Sequence, residues 1–300
     1  MNIFITGASG YIGGSVAAAL IKRGHKVRGL TRSPSVAEQL ESYGIDPVMG
    51  SLDDFELLME QASKSDAIIN TANADHLAAV EALIAGLKGT GKVLIHTSGS
   101  SIIGDDARGD FCSGAVYSED TPLVVDARKK ARRNIDLLVI EAYKLNVRSS
   151  VIIPSLIYGY GTGINKSSIQ IPFMVNNALE QDEIQIVGKG LNTWSNVHID
   201  DLVDLYCLTL EGAPAGSFYF AENGEASFLD IAKAISERLN INKIAHLSPE
   251  VAVEKWGMAR ALFTLGSNSR VRSVHAHSDL DWKPKHASVQ KWILDEMKTN

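Results

Sequence analysis

Residues 1–14, reading MNIFITGASGYIGG, constrain the fold more than any other stretch of the chain. Residues 2–6 are a short apolar run with β-branched members, followed by Gly7, Gly10 and Gly13 at three-residue spacing and an apolar helical pattern over residues 11–20. A strand that turns on glycine into a helix leaves backbone N–H groups at the helix mouth, where the macrodipole also favours an anion. Gly7 allows the tight turn, Gly10 lets phosphate approach the backbone, and Gly13 lets the helix lie close to the sheet. The bland alternative is the same turn with no ligand; the strand before it and the helix after it favour a dinucleotide site.

The next 140 residues keep the same rhythm. Strands are expected at 26–30, 47–49, 66–70, 92–97 and 147–154, with helices at 35–43, 54–62 and 75–87 between them. Strands alternating with helices of this length imply βαβ crossovers and a Rossmann-type, doubly wound parallel sheet of the α/β class. Residues 160–194 depart from that rhythm. The expected division is a nucleotide-binding domain at 1–155 and 195–222, and a smaller C-terminal substrate domain at 156–194 and 223–300. At 300 residues, 45% of them hydrophobic, the chain is long enough for both cores.

A net charge of -6 argues against a nucleic-acid partner. Cys112 and Cys207 form neither a disulfide framework nor a metal pattern. The first strand starts directly after Met1 and no apolar run reaches the roughly 18 residues of a membrane span, so a soluble, cytoplasmic protein is expected.

The glycine motif, with Thr6, Ala8, Ser9, Tyr11 and Ile12 as its fillers, resembles the cofactor loop of the short-chain dehydrogenase/reductase superfamily in its extended, epimerase-like branch. Three later segments share the resemblance: Pro154 to Gly159, the WSNVHIDD run at 194–201 and LDWKP at 280–284. The resemblance implies a nicotinamide dinucleotide held by Gly7, Ala8, Ser9, Gly10, Tyr11, Ile12 and Gly13. Further contacts are implied from Leu52, from the small-residue loop Thr71, Ala72 and Asn73, from Thr97, and from Pro154, Leu156 and Ile157 beside the nicotinamide. NAD-preferring relatives carry a carboxylate at the tip of the second strand. Thr31 stands there instead, with Arg32 beside it as a planar donor for phosphate, so NADP is expected, with NAD as the alternative. Asp53 is expected to cap the helix at 54–62.

The family's chemistry uses a hydroxyl after the fifth strand and a Tyr-x-x-x-Lys helix. The hydroxyl position falls on Gly99 or, with a one-residue shift, on Ser98 or Ser100. Lys130 is well placed for the lysine, as a cofactor and catalytic residue, but the position four before it is Asp126 and the tyrosine is absent. Candidates for the proton are Asp126, Tyr117, Tyr158 and the serines of 98–101, with Asp126 alternatively a helix cap and Tyr158 alternatively packing. His198, Asp200 and Asp201 are read as architectural, no metal site is expected, and residues 275–277 are read as strand or turn without a role. The resulting expectation is an NADP-dependent oxidoreductase or epimerase-like enzyme on a small carbonyl, alcohol or sugar-like substrate, possible as a homodimer through residues 75–88 and 126–145. The alternative is an NADP-binding regulator or redox sensor without ordinary turnover.

Overall fold

The computed structural model describes residues 1–299. Its first half alternates strand and helix: β1 (Asn2–Thr6), α1 (Tyr11–Lys22), β2 (Lys26–Thr31), α2 (Pro34–Ser42), β3 (Ile45–Met49), α3 (Phe55–Lys64), β4 (Ala67–Asn70), α4 (Leu77–Leu87) and β5 (Val93–Thr97). After a long connection come α5 (Lys130–Glu141) and β6 (Arg148–Pro154). The second half holds β7 (Leu156–Tyr158), α6 (Gln170–Gln181), β8 (Ile184–Val187), β9 (Thr193–His198), α7 (Ile199–Gly212) and β10 (Ser217–Ala221). It ends with β11 (Glu225–Ser227), α8 (Phe228–Leu239), β12 (Ile244–Leu247), α9 (Pro249–Trp256), α10 (His275–Leu280) and α11 (Val289–Asp295).

Seven strands form one sheet in the order β10-β6-β5-β4-β1-β2-β3, and the pairings are parallel. Helices cover both faces, so β4 and β5 are buried at every residue, as parallel strands with two covered faces must be. One face packs on α1 and α7 through Val16, Leu20, Leu202 and Tyr206. The other packs on α3, α4 and α5 through Leu58, Leu83, Ile135 and Val139. The order reverses at β1 and β4, which places a crevice at the carboxyl ends of those strands.

A second core lies outside this sheet, where Leu156, Ile171, Trp194, Phe228 and Trp292 meet from five separate elements. Two of the sequence-based expectations are corrected here. Residues 275–277 open the helix α10. The cap of α3 is Asp54, whose Oδ1 accepts from the N–H of Leu57 at 3.0 Å, while Asp53 lies one residue too early and pairs with His76 instead. Among the described residues no helix is long and apolar enough to cross a membrane.

Candidate functional site

The glycine turn is shaped by steric demand. Gly7 has φ +78°, and a Cβ on it would meet the backbone of Ala72 at 2.9 Å. A Cβ on Gly13 would lie 2.3 Å from the carbonyl oxygen of Gly7. The Gly10 N–H donates to that same carbonyl at 2.9 Å, closing the turn. A backbone so bare, opening on the first turn of α1, is a cradle in which side chains would only interfere, and it fits a diphosphate.

Two cavities flank it. One, of about 550 Å³, is walled by Gly7, Ser9, Thr31, Arg32, Leu52, Ala72 and Asn73. The other, of about 410 Å³, is walled by Gly10, Tyr11, Ile12, Gly13, Thr71, Ser98, Arg132, Pro154 and Ile157, and is bounded on the far side by Asn165, residues 167–170, Trp194 and Thr264. In the first cavity Arg32 is exposed and makes no hydrogen bond or ion pair among the described residues. Its neighbours in the chain are neutral: the Thr31 hydroxyl accepts from the N–H of Ser33 at 3.2 Å, and Ser33 caps α2, while the carboxylate on this cavity's wall, Asp53, lies against His76.

In the second cavity the serines of 98–101 have different fates. The Ser100 hydroxyl is tied to Ser269 at 2.9 Å, and Ser101 accepts from Arg132 at 3.4 Å. The Ser98 hydroxyl is buried and has no hydrogen-bond partner among the described residues. Gly99 faces the Arg132 guanidinium, 3.7 Å from where its Cβ would be. Arg132 grips Asp75 with two parallel bonds, the Nε one at 2.8 Å, which holds the Asp75 carboxyl below the usual range. Behind this pair His96 is buried. Thr6 donates to Asn70 Oδ1, so the Asn70 amide donates to His96 Nδ1 at 3.0 Å and the ring proton belongs on Nε2. Burial first, and then the Arg132 charge, push His96 down to about 4, so its ring is neutral.

Several residues expected at the site lie elsewhere. Tyr158 is fully buried, edge-on to His198, and donates its hydroxyl to the carbonyl of His286 at 2.8 Å; burial pushes its phenol up. Leu156 shares that strand face and enters the second core, because only alternate residues of a strand can face one cavity. Ala8 is buried beneath the turn rather than in a cavity wall. Thr97 points at α7, its hydroxyl 2.5 Å from that of Tyr206. Asp126 caps a short turn through the N–H of Arg128 at 2.9 Å and also pairs with the Arg128 side chain, which holds it down at about 2; ionised, it has no proton to give. Lys130 is exposed at the start of α5, on the face shared with Asn134 and Leu137. Arg132, on the inward face with Asp136 and Val139, reaches the cavity in its place. Arg132, Ser155 and Trp194 were not anticipated; the inward phase of Ile135 and Val139 was the one signal that pointed to Arg132.

His198, Asp200 and His286 bring ligand atoms within 4.8 Å of one another. The two imidazoles are stacked at 4.0 Å and 26°, which keeps their in-plane lone pairs apart, and His198 Nδ1 accepts from the N–H of Asp200 at 3.2 Å. These contacts join β9, α7 and the C-terminal tail.

A doubly wound parallel sheet with a glycine turn between two cavities defines a nucleotide-binding Rossmann-type protein. The chain belongs to the NAD dependent epimerase/dehydratase family, whose model matches residues 3–219. It is 32% identical to the oxidase ucsJ of Acremonium sp, over 94% of this chain and 92% of that protein. It is 25% identical to the 4-hydroxy-2-methyl-3-oxo-4-farnesyl-3,4-dihydroquinoline-1-oxide ketoreductase of Stigmatella aurantiaca, over 75% of this chain and 69% of that one. In fold it is similar to the dTDP-glucose 4,6-dehydratase of Bacillus anthracis solved in complex with NAD, with a TM-score of 0.78 at 19% identity, over 98% of this chain and 94% of that one.

Proposed function

We propose that the chain is an NADP-dependent oxidoreductase acting on a small carbonyl or alcohol substrate, with an active site that lacks the tyrosine of its superfamily. The observation that carries this reading is the glycine turn between two cavities, with an unpaired guanidinium in one and an unpaired hydroxyl in the other. The adenosine end belongs with Leu52 and Arg32, and the nicotinamide end with Pro154 and Ile157. When bound, such a cofactor supplies or accepts a hydride. Ser98 offers its hydroxyl to the substrate oxygen, Arg132 places positive charge behind it, and Ile157 and Trp194 keep water out. A ketoreductase among the relatives supports a carbonyl substrate. Exposed Leu77, Leu137 and Tyr143 on and beside α4 and α5 support a homodimer, and the two distant free cysteines support a reducing, cytoplasmic setting.

A second reading is a regulator that binds NADP without turnover, favoured by α5 bringing Arg132 to the cavity and holding no tyrosine to transfer a proton. The two readings part in a screen of aldehydes, ketones and nucleotide sugars with NADPH, following nicotinamide absorbance. Consumption that needs both protein and one of these substrates is expected. Tight NADPH binding with no consumption across the panel would favour the regulator.

A further inference from the structure

The inward face of α5 carries a second unusual group. Asp136 is 0% exposed, and among the described residues neither of its carboxyl oxygens has a hydrogen-bond partner. The nearest cation is Arg133, whose Nη1 lies 3.8 Å away and is itself buried without a partner. Ser98, at the end of β5, is near enough to lower the Asp136 carboxyl's affinity for its proton, yet among the described residues its hydroxyl is not in hydrogen-bonding geometry with that carboxyl or with any other group. A carboxylate buried this way without hydrogen bonds would carry a large desolvation cost, and the alternative open to it is to stay protonated. Burial pushes Asp136 up to about 6, against the pull of Ser98, Arg133 and Arg132 and with a smaller push from Asp75. His96, buried on β5, is neutral, and Arg133 is covered by the uncharged ring of Phe218 at 4.8 Å. The other side of Ser98 is the cavity wall.

We propose that Asp136 is the proton store of this site, acting on the substrate through the Ser98 hydroxyl. The inference rests on Ser98 being the substrate-facing hydroxyl of the oxidoreductase proposed above. In the reducing direction the carbonyl π bond opens, and the carbon gains a hydride, with its two electrons, from the reduced dinucleotide. The substrate oxygen takes the Ser98 proton, and Ser98 recovers one from the carboxyl of Asp136. Asp136 is left as a carboxylate beside Arg133 and regains its proton from solvent between turnovers. Alcohol oxidation runs the same transfers in reverse. Asp136 is therefore a positioning residue, and Ser98 is the group that touches substrate.

The test uses the full-length protein, wild type beside Asp136→Asn and Asp136→Glu. Difference infrared spectra of wild type against Asp136→Asn, without cofactor, should show a protonated-carboxyl band that titrates near pH 6. Asp136→Asn should bind NADPH within about twofold of wild type. Its kcat for carbonyl reduction should fall by roughly 10²-fold or more, with loss of the decline in rate that the wild type shows as pH rises through 6. Asp136→Glu should restore part of the rate and the pH limb. A band titrating below about pH 4.5 overturns the proposal whether or not the protein turns over. So does an Asp136→Asn variant with wild-type kcat and pH profile, while the oxidoreductase reading survives. A wild type that binds no dinucleotide overturns both.

Discussion

Arg32 and His96 show how a single side chain sets the behaviour of its half of the cleft. Arg32 pairs with no carboxylate among the described residues and stands beside Thr31 and the capping hydroxyl of Ser33, so a phosphate on the ribose would meet a charge-assisted donor. Arg32→Ala should weaken NADP by about 1.5 to 3 kcal/mol and leave NAD nearly unchanged, as read by competition binding of the two cofactors. Equal losses would remove the phosphate contact. His96 is folded with its pKa held at about 4, below the ordinary 6.5, so the neutral ring stabilises the fold above pH 6.5 and that stability is lost as pH falls toward 4. Replacing it with Gln should remove a loss on the order of 3 kcal/mol between pH 6.5 and 4 in urea titrations; an unchanged acid limb would mean the ring titrates normally. Asp136 works in the opposite sense, its stability contribution falling as pH rises from about 4 to 6, so the two partly cancel in the wild type. Arg32 was legible in the sequence, from its place at the tip of the second strand; the burial that sets His96 and Asp136 was not. Tyr158, Asp126 and Lys130 have suitable chemistry and spacing, but which way each side chain points is decided by strand parity and helix phase, which shift with a one-residue change in where an element starts.

At the scale of elements, the strand, glycine turn and helix at residues 2–22 were readable because the steric requirement is local: φ at Gly7 and close approach at Gly13 leave glycine as the residue that fits. Gly13→Ala would put a methyl 2.3 Å from a backbone oxygen, so it should force the turn open, lower the melting temperature and cost dinucleotide affinity together. Thermal denaturation with and without NADPH checks this, and wild-type melting with full ligand-induced stabilisation would contradict it. α5 was harder. Its run of basic residues masks the start, and the long connection from β5 gives no register. The helix begins at Lys130, after a short turn capped by Asp126, and that puts Arg132 rather than Lys130 inward.

At the scale of the whole molecule, the seven-stranded sheet was legible because each βαβ step is sequence-local and has one favoured hand. The second core was not, since its residues arrive from segments that are far apart in sequence and pair β7 with β9 and β9 with β11. Asp201 ties these segments together. Buried at 2% exposure, it accepts from the backbone N–H groups of Lys285 and His286, both at 2.9 Å, while its own carbonyl accepts from Trp282 Nε1 at 3.0 Å. Asp201→Ala should destabilise the chain by about 2 to 4 kcal/mol in urea and loosen residues 282–299 in hydrogen exchange, whereas a loss under 1 kcal/mol would show the tail is held by packing alone. The account as a whole turns on what the cleft between the sheet's carboxyl edge and this second core holds. Isothermal titration of the wild-type protein with NADPH and NADH addresses that directly. One site per chain, with NADPH bound at least about tenfold tighter, is the predicted result; no heat with either dinucleotide, or equal affinity for both, would contradict it.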